Sequence, residues 1–190
     1  MKNIFGDNSD QDLIKAVGNG DHQAFEHIVD RYKNALYNFV YRYLQDRSLA
    51  EEVVQEVFLR IYKAAPKYKP ANNAKASTWI FKIAFNLSMN ELKARRRYSR
   101  LTVDRAGERE IPAGMQVPVF AETREMMEGI MSGLRLLPEN QRSALLLRVQ
   151  QGFSYREISE ILNATVSSVE SLIYRARQHL KQHVCMEHKE

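Results

Sequence analysis

Six residues at three- to four-residue spacing, Trp79, Lys82, Asn86, Asn90, Lys93 and Arg97, fall within one stripe of any helix that carries them. Two amides can hydrogen-bond base edges, three cations can hold phosphates, and an indole can stack. These are the tools for gripping unpaired nucleotides. Asn is a mediocre helix former, so Asn86 and Asn90 one turn apart need a reason beyond propensity. Trp79 also has a plain reading as a core residue at a helix start. A second set, Ser167, Glu170, Ser171, Tyr174, Arg175 and Gln178, could meet base edges and phosphates in a major groove. Glu170 stands toward the edge of that set. It could accept a hydrogen bond from a cytosine amino group, or simply favour a helix N-terminus. A third set, Glu52, Gln55, Glu56 and Leu59, puts acids, an amide and an exposed leucine on one face, which suits docking on a basic protein surface.

The charge distribution supports the first assignment. Lys63 to Arg100 holds ten basic residues, Lys75 among them, against the single acid Glu91. A stripe of that density is the expected footprint of a phosphate-binding surface, although a solvated lysine-rich face would look similar. The whole chain is only +5 over 190 residues, so the excess is local.

Helices must position these groups, because strand-like alternation is absent and apolar residues recur at helical spacing throughout. The pattern predicts helices from after Ser9 to Gly18, from about Gln23 to Leu44, from near Ser48 to before Pro66, and from about Ser77 to Tyr98. Residues 99–121, broken by Gly107, Pro112, Gly114 and Pro118, read as a flexible linker. Helices resume at Glu122. Ser154–Leu162, the turn Asn163-Ala164-Thr165 and Val166 to about Gln182 form a predicted helix-turn-helix, with Val166, Val169, Ile173, Ala176 and Leu180 inward. The expected fold is all-α: two small helical domains, 1–98 and 122–190, joined by that linker.

Several classes are excluded. No catalytic constellation or phosphate-binding glycine loop occurs, so no enzyme activity and no small-molecule substrate or cofactor are expected. His179, His183, Cys185 and His188 cluster near the C-terminus but read as a polar tail rather than a metal site. No apolar run is long enough to cross a membrane, Met1 to Asp12 is no signal peptide, and a lone Cys185 suits a reducing cytoplasm. A helix-turn-helix regulator with an N-terminal sensing or partner-binding domain is the alternative function. A basic Lys63–Arg100 segment counts against it.

Ala50–Arg60 resembles the segment with which extracytoplasmic-function (group IV) sigma factors of the sigma-70 family grip the clamp helices of the RNA polymerase β′ subunit. Thr78–Leu87, Asn90-Glu91-Leu92 and Arg95-Arg96-Arg97 are similar to the family's minus-ten reading helix. Leu137–Arg142, Gly152–Ile158 and Tyr174–Arg177 resemble its domain 4, which reads the minus-35 element. The similarity runs from about Asp10 to Lys181 in the family's order. It implies sigma domain 2, a linker and a helix-turn-helix sigma domain 4. It further implies core RNA polymerase (β′ clamp helices and β-flap), promoter DNA and an anti-sigma factor as partners. Polymerase would dock on Glu52, Gln55, Glu56 and Leu59. An extruded minus-ten base would enter a pocket of the Pro70–Ala76 loop and Asn86, with Lys75 and the stripe from Trp79 to Arg97 alongside. Two features depart from the pattern: residues 101–125, which include most of the linker, carry a net charge of only −2, and Glu170 and Leu172 stand where many relatives carry basic or small residues.

Overall fold

Side chains that compete for backbone groups start most of the helices. Ser9 opens α1 (Asp10–Gly18), its Oγ accepting from the Asp12 N–H at 3.3 Å. Asp21 opens α2 (His22–Leu44) by accepting from the Ala24 N–H at 3.0 Å. Asp46 opens α3 (Arg47–Ala64) in the same way from Leu49, and its second oxygen takes Arg95 at 2.7 Å, tying that cap to α4 (Ala76–Leu101). A single 3-10 turn, Ala65–Lys67, ends α3. The C-terminal half holds α5 (Ala121–Leu136), α6 (Glu139–Gln151), α7 (Tyr155–Leu162) and α8 (Val166–Glu187). This computed structural model describes residues 9–69, 75–101 and 121–187, except the side chains of 99–101, 121–128 and 184–187. Among the described residues there is no strand.

The N-terminal bundle, α1–α4, closes around aromatic rings. Phe39 meets Phe81 edge-on at 5.6 Å and stacks with Tyr43 at 6.1 Å, while Tyr43 meets Phe85 at 6.3 Å. Ile28, Leu36, Val57, Ile61, Ile80 and Ala84 fill the space between them, all fully buried. Gly18 sits where α1 crosses the 3-10 turn; a Cβ there would lie 2.7 Å from the Ala65 carbonyl oxygen. In the C-terminal bundle, α5–α8, Leu147, Ile158, Ile161, Val169, Ile173 and Ala176 form the core.

The two bundles are packed against each other, α6 on α2 and α7 on α4. That explains why α6 has little amphipathic character: Gln141, Ser143, Ala144, Leu145, Leu146 and Leu147 are all buried, because it has neighbours on two sides. The two helical bundles expected from the sequence are both present, and helical periodicity says nothing of the contact between them. Two boundaries also move. α4 continues past Tyr98 to Leu101, and α8 continues past Gln182 to Glu187. Val166, expected inward, is 46% exposed, since at the first position of α8 it precedes the packing against α7. The charges of residues 102–120, most of the linker segment, lie outside the described residues.

Candidate nucleic-acid and polymerase interfaces

The stripe on α4 exists because its opposite face is anchored. Ile80, Phe81, Ala84 and Phe85 are buried, and Ser88, fully buried, donates its hydroxyl to the Ala84 carbonyl at 2.8 Å. With that side fixed, Lys82, Asn86, Asn90, Lys93 and Arg97 stand exposed. From Trp79 to Arg97 the stripe extends about 27 Å, at 1.5 Å per residue. Trp79 is half-buried rather than free in solvent. Its ring meets Tyr68 at 4.7 Å, so part of the indole packs within the bundle and part faces solvent. Asn86 lies about 15 Å along α4 from Ala76, ten residues at 1.5 Å each. The end of the Pro70–Ala76 loop that is described thus stays away from Asn86; residues 70–74 of the expected pocket lie outside the described residues.

Lys75 is exposed at the mouth of α4, but its ammonium is engaged. It lies 2.9 Å from Glu157 Oε1 on α7. Glu157 is itself the third residue of a capping box: its Oε2 accepts from the Ser154 N–H at 2.7 Å while Ser154 Oγ accepts from the Glu157 N–H at 3.3 Å. Burial raises the Glu157 pKa, yet the donors Lys75 and Ser154 outweigh it and hold the carboxyl at about 2.

The recognition surface on α8 is built by a left-handed turn. Asn163, at φ 52°, ends α7, and Thr165 Oγ1 accepts from the Ser168 N–H at 3.2 Å, starting α8 at once. With Val169, Ile173 and Ala176 buried, Ser167, Glu170, Ser171, Tyr174, Arg175 and Gln178 are all exposed, Tyr174 by 65%. Ser171 Oγ spends its proton on the Ser167 carbonyl at 3.1 Å, which leaves its lone pairs to accept.

On α3, Val53, Val54, Val57 and Ile61 are buried, and Glu52, Gln55 and Leu59 are exposed on the far side. Glu56 is half-buried and pairs with Arg60 at 2.7 Å. Of the C-terminal histidines, His183 bonds Ser132 Oγ at 2.7 Å through its Nε2, and His179 is exposed; the side chains of Cys185 and His188 lie outside the described residues. Among the described residues no three candidate ligands converge on a metal position, and no helix is long and apolar enough to cross a membrane.

The sequence matches two family descriptions in the order of these surfaces, Sigma-70 region 2 over residues 28–98 and Sigma-70, region 4 over residues 128–180. The RNA polymerase sigma-H factor of Pseudomonas aeruginosa is 31% identical over 176 residues, covering 89% of this chain and 90% of its own length. The chain belongs to the extracytoplasmic-function sigma factors of the sigma-70 family. The ECF RNA polymerase sigma factor SigW of Bacillus subtilis is 32% identical, with 89% of this chain and 93% of SigW covered. The ECF RNA polymerase sigma-E factor of Escherichia coli K12 is 31% identical, with 90% and 91% covered. The same fold occurs in CnrH, solved in complex with the cytosolic domain of CnrY. There the TM-score is 0.70 at 21% identity, over 94% of this chain and 99% of that one. It occurs also in RpoE of Bartonella quintana, solved with the anti-sigma factor NepR, at a TM-score of 0.71 and 20% identity over 84% and 96%. This sigma factor directs RNA polymerase to promoters, and the region 2 match over residues 28–98 sets aside the alternative of a regulator with a sensing domain.

Proposed function

We propose a division of labour among the three surfaces. Sigma domain 2, residues 1–98, docks on the β′ clamp helices through Glu52, Gln55, Glu56 and Leu59. It handles the minus-ten element through Lys75, Trp79, Lys82, Asn86, Asn90, Lys93 and Arg97, with Asn86 selecting an extruded base. Residues 99–121 link it to sigma domain 4, residues 122–190, which sits on the β-flap and lays α8 into the minus-35 major groove. There Ser167, Glu170, Ser171, Tyr174, Arg175 and Gln178 meet base edges and phosphates.

The observation that carries this reading is the α4 face. Five exposed amides and cations, Lys82, Asn86, Asn90, Lys93 and Arg97, lie opposite a buried, mostly apolar side anchored in the bundle. The protein acts without catalysis of its own, in the cytoplasm where the polymerase works. An anti-sigma partner follows from the fold shared with RpoE, itself solved with one. In vitro transcription with core polymerase on a genomic library tests the reading: discrete start sites with a common two-part motif support it, and core-only background refutes it.

A further inference from the structure

Three consecutive arginines cannot all face one ligand, because a helix turns by about 100° at each residue. Arg95, Arg96 and Arg97 accordingly point three ways. Arg97 is exposed on the stripe with Lys93. Arg96 lies 2.9 Å from Glu139 on α6. Arg95 turns back to the start of α3, where its Nη2 donates to Asp46 Oδ2 at 2.7 Å. The charge run that reads as one phosphate-binding block in the sequence is therefore divided among different tasks.

These arginines stand on turns of α4 that have left the core. Ser88 is the last buried side chain of the helix among the described residues, Leu92 is half-buried, and residues 93–98 are all exposed. Arg97 stands about 14 Å beyond Ser88, nine residues at 1.5 Å each. A helix end without apolar packing frays, since propensity alone holds a short segment only marginally. Arg95 at Asp46 and Arg96 at Glu139 tie these outer turns to the rest of the chain. Further polar links between the bundles, from Gln45 to the Met131 carbonyl at 2.9 Å and from Arg142 to the Tyr43 carbonyl at 2.7 Å, lie on α2 and its C-terminal end instead.

Asp46 serves both helices. Its Oδ1 accepts from the Leu49 N–H at 3.0 Å and caps α3, while its Oδ2 takes Arg95. One carboxylate thus joins the start of the helix that carries Glu52, Gln55 and Leu59 to the end of the helix that carries Lys93 and Arg97.

We propose that Arg95 is a positioning residue rather than a DNA contact: held by Asp46, it sets the direction of the outer turns of α4 and with them the placement of Lys93 and Arg97 on minus-ten DNA. The inference rests on the reading of the α4 stripe as a minus-ten surface. Both partners are partly exposed, 43% for Arg95 and 34% for Asp46, so the pair adds little to global stability and acts locally.

The two roles for Arg95 predict opposite signs at Asp46. Asparagine caps a helix about as well as aspartate, so Asp46→Asn keeps α3 and removes the charge that holds Arg95. A positioning role predicts that Asp46→Asn and Arg95→Gln each lower open-complex formation about threefold, scored on full-length protein saturated with core polymerase. Arg95→Lys, which keeps the charge, should recover at least half of that loss, and Asp46→Asn/Arg95→Gln should be no worse than either single variant. If Arg95 grips phosphate instead, Asp46→Asn releases it and opening matches or exceeds wild type. That result, losses that multiply in the double variant, or no recovery by lysine overturns the proposal. Amide hydrogen exchange on the free chain tests the holding itself. Both single variants should speed exchange in residues 95–98 about threefold and leave residues 80–88 unchanged. Unaltered exchange in the outer turns overturns the proposal even where opening falls. A wild-type chain that opens no promoter counts against the minus-ten reading alone, and exchange then decides whether Arg95 holds α4.

Discussion

Asn86 and Asn90 stand one turn apart on α4 with their amides in solvent, where they contribute little to the core beneath them. Asn86→Ala therefore should leave thermal stability and core polymerase binding unchanged. It should reduce open-complex formation and blur base preference at one minus-ten position, read by permanganate footprinting on a randomised element. Unchanged preference at every position would make Asn86 merely structural. Glu170 is also exposed, at the fifth position of α8. Direct readout of cytosine predicts that Glu170→Gln alters discrimination at a single minus-35 base pair by about 1–3 kcal/mol. A macrodipole role predicts instead a loss of about 0.3–1 kcal/mol of stability with an unaltered sequence logo, and selection from a randomised minus-35 library distinguishes the two. Residue spacing made both side chains legible, because exposure on a helix follows from its anchored face. The partners of Arg142 were not legible. Its three carbonyls come from Tyr43, Arg135 and Leu137, two of them at the ends of different helices, and no periodicity links positions 43 and 142.

At the scale of elements, α3 separates its buried valines from the polar face that should reach the polymerase. Glu52→Lys/Glu56→Lys should weaken core binding by about 2 kcal/mol or more if the pair is desolvated on docking, with helicity retained by circular dichroism. Full affinity in that variant removes the face from the interface. Where α1 ends, Gly18 is required by contact rather than by turn geometry. Alanine normally favours a helix by about 1 kcal/mol over glycine. Here its Cβ would meet backbone at 2.7 Å, so Gly18→Ala should cost about 1–3 kcal/mol, measurable as a lower midpoint in thermal unfolding. The helix starts at Ser9 and Ser154 were readable because capping is local. The extension of α8 to Glu187 did leave a signal, since Val184 follows Leu180 by four residues and continues the apolar spacing of Val169, Ile173, Ala176 and Leu180.

Taken as a whole, the molecule concentrates its positive charge on one bundle while its net charge stays modest at +5. Promoter affinity of the holoenzyme should then depend steeply on salt, and the dependence should be traceable to named residues. Removing Lys93 and Arg97 together should lower the slope of log affinity against log salt by about 1.4 to 1.8, the value for two phosphate contacts on single- or double-stranded DNA. A slope equal to wild type would place both side chains off the DNA. The charge block was plain in the sequence. The contact of that block with the carboxylates of α6 and α7 was not, because it depends on how two bundles meet, which leaves no trace in either bundle's own pattern.

The bundles that meet through Arg142 and Gln45 belong to one chain, and this makes their contact indifferent to dilution. Neighbours held by a short covalent connection see each other at an effective concentration on the order of millimolar. A free partner present at about 1 μM must then bind the same face on the order of a thousand times more tightly than the other bundle does, simply to draw level. The number of chains in the cell sets how many molecules make this contact, but not what fraction of them do.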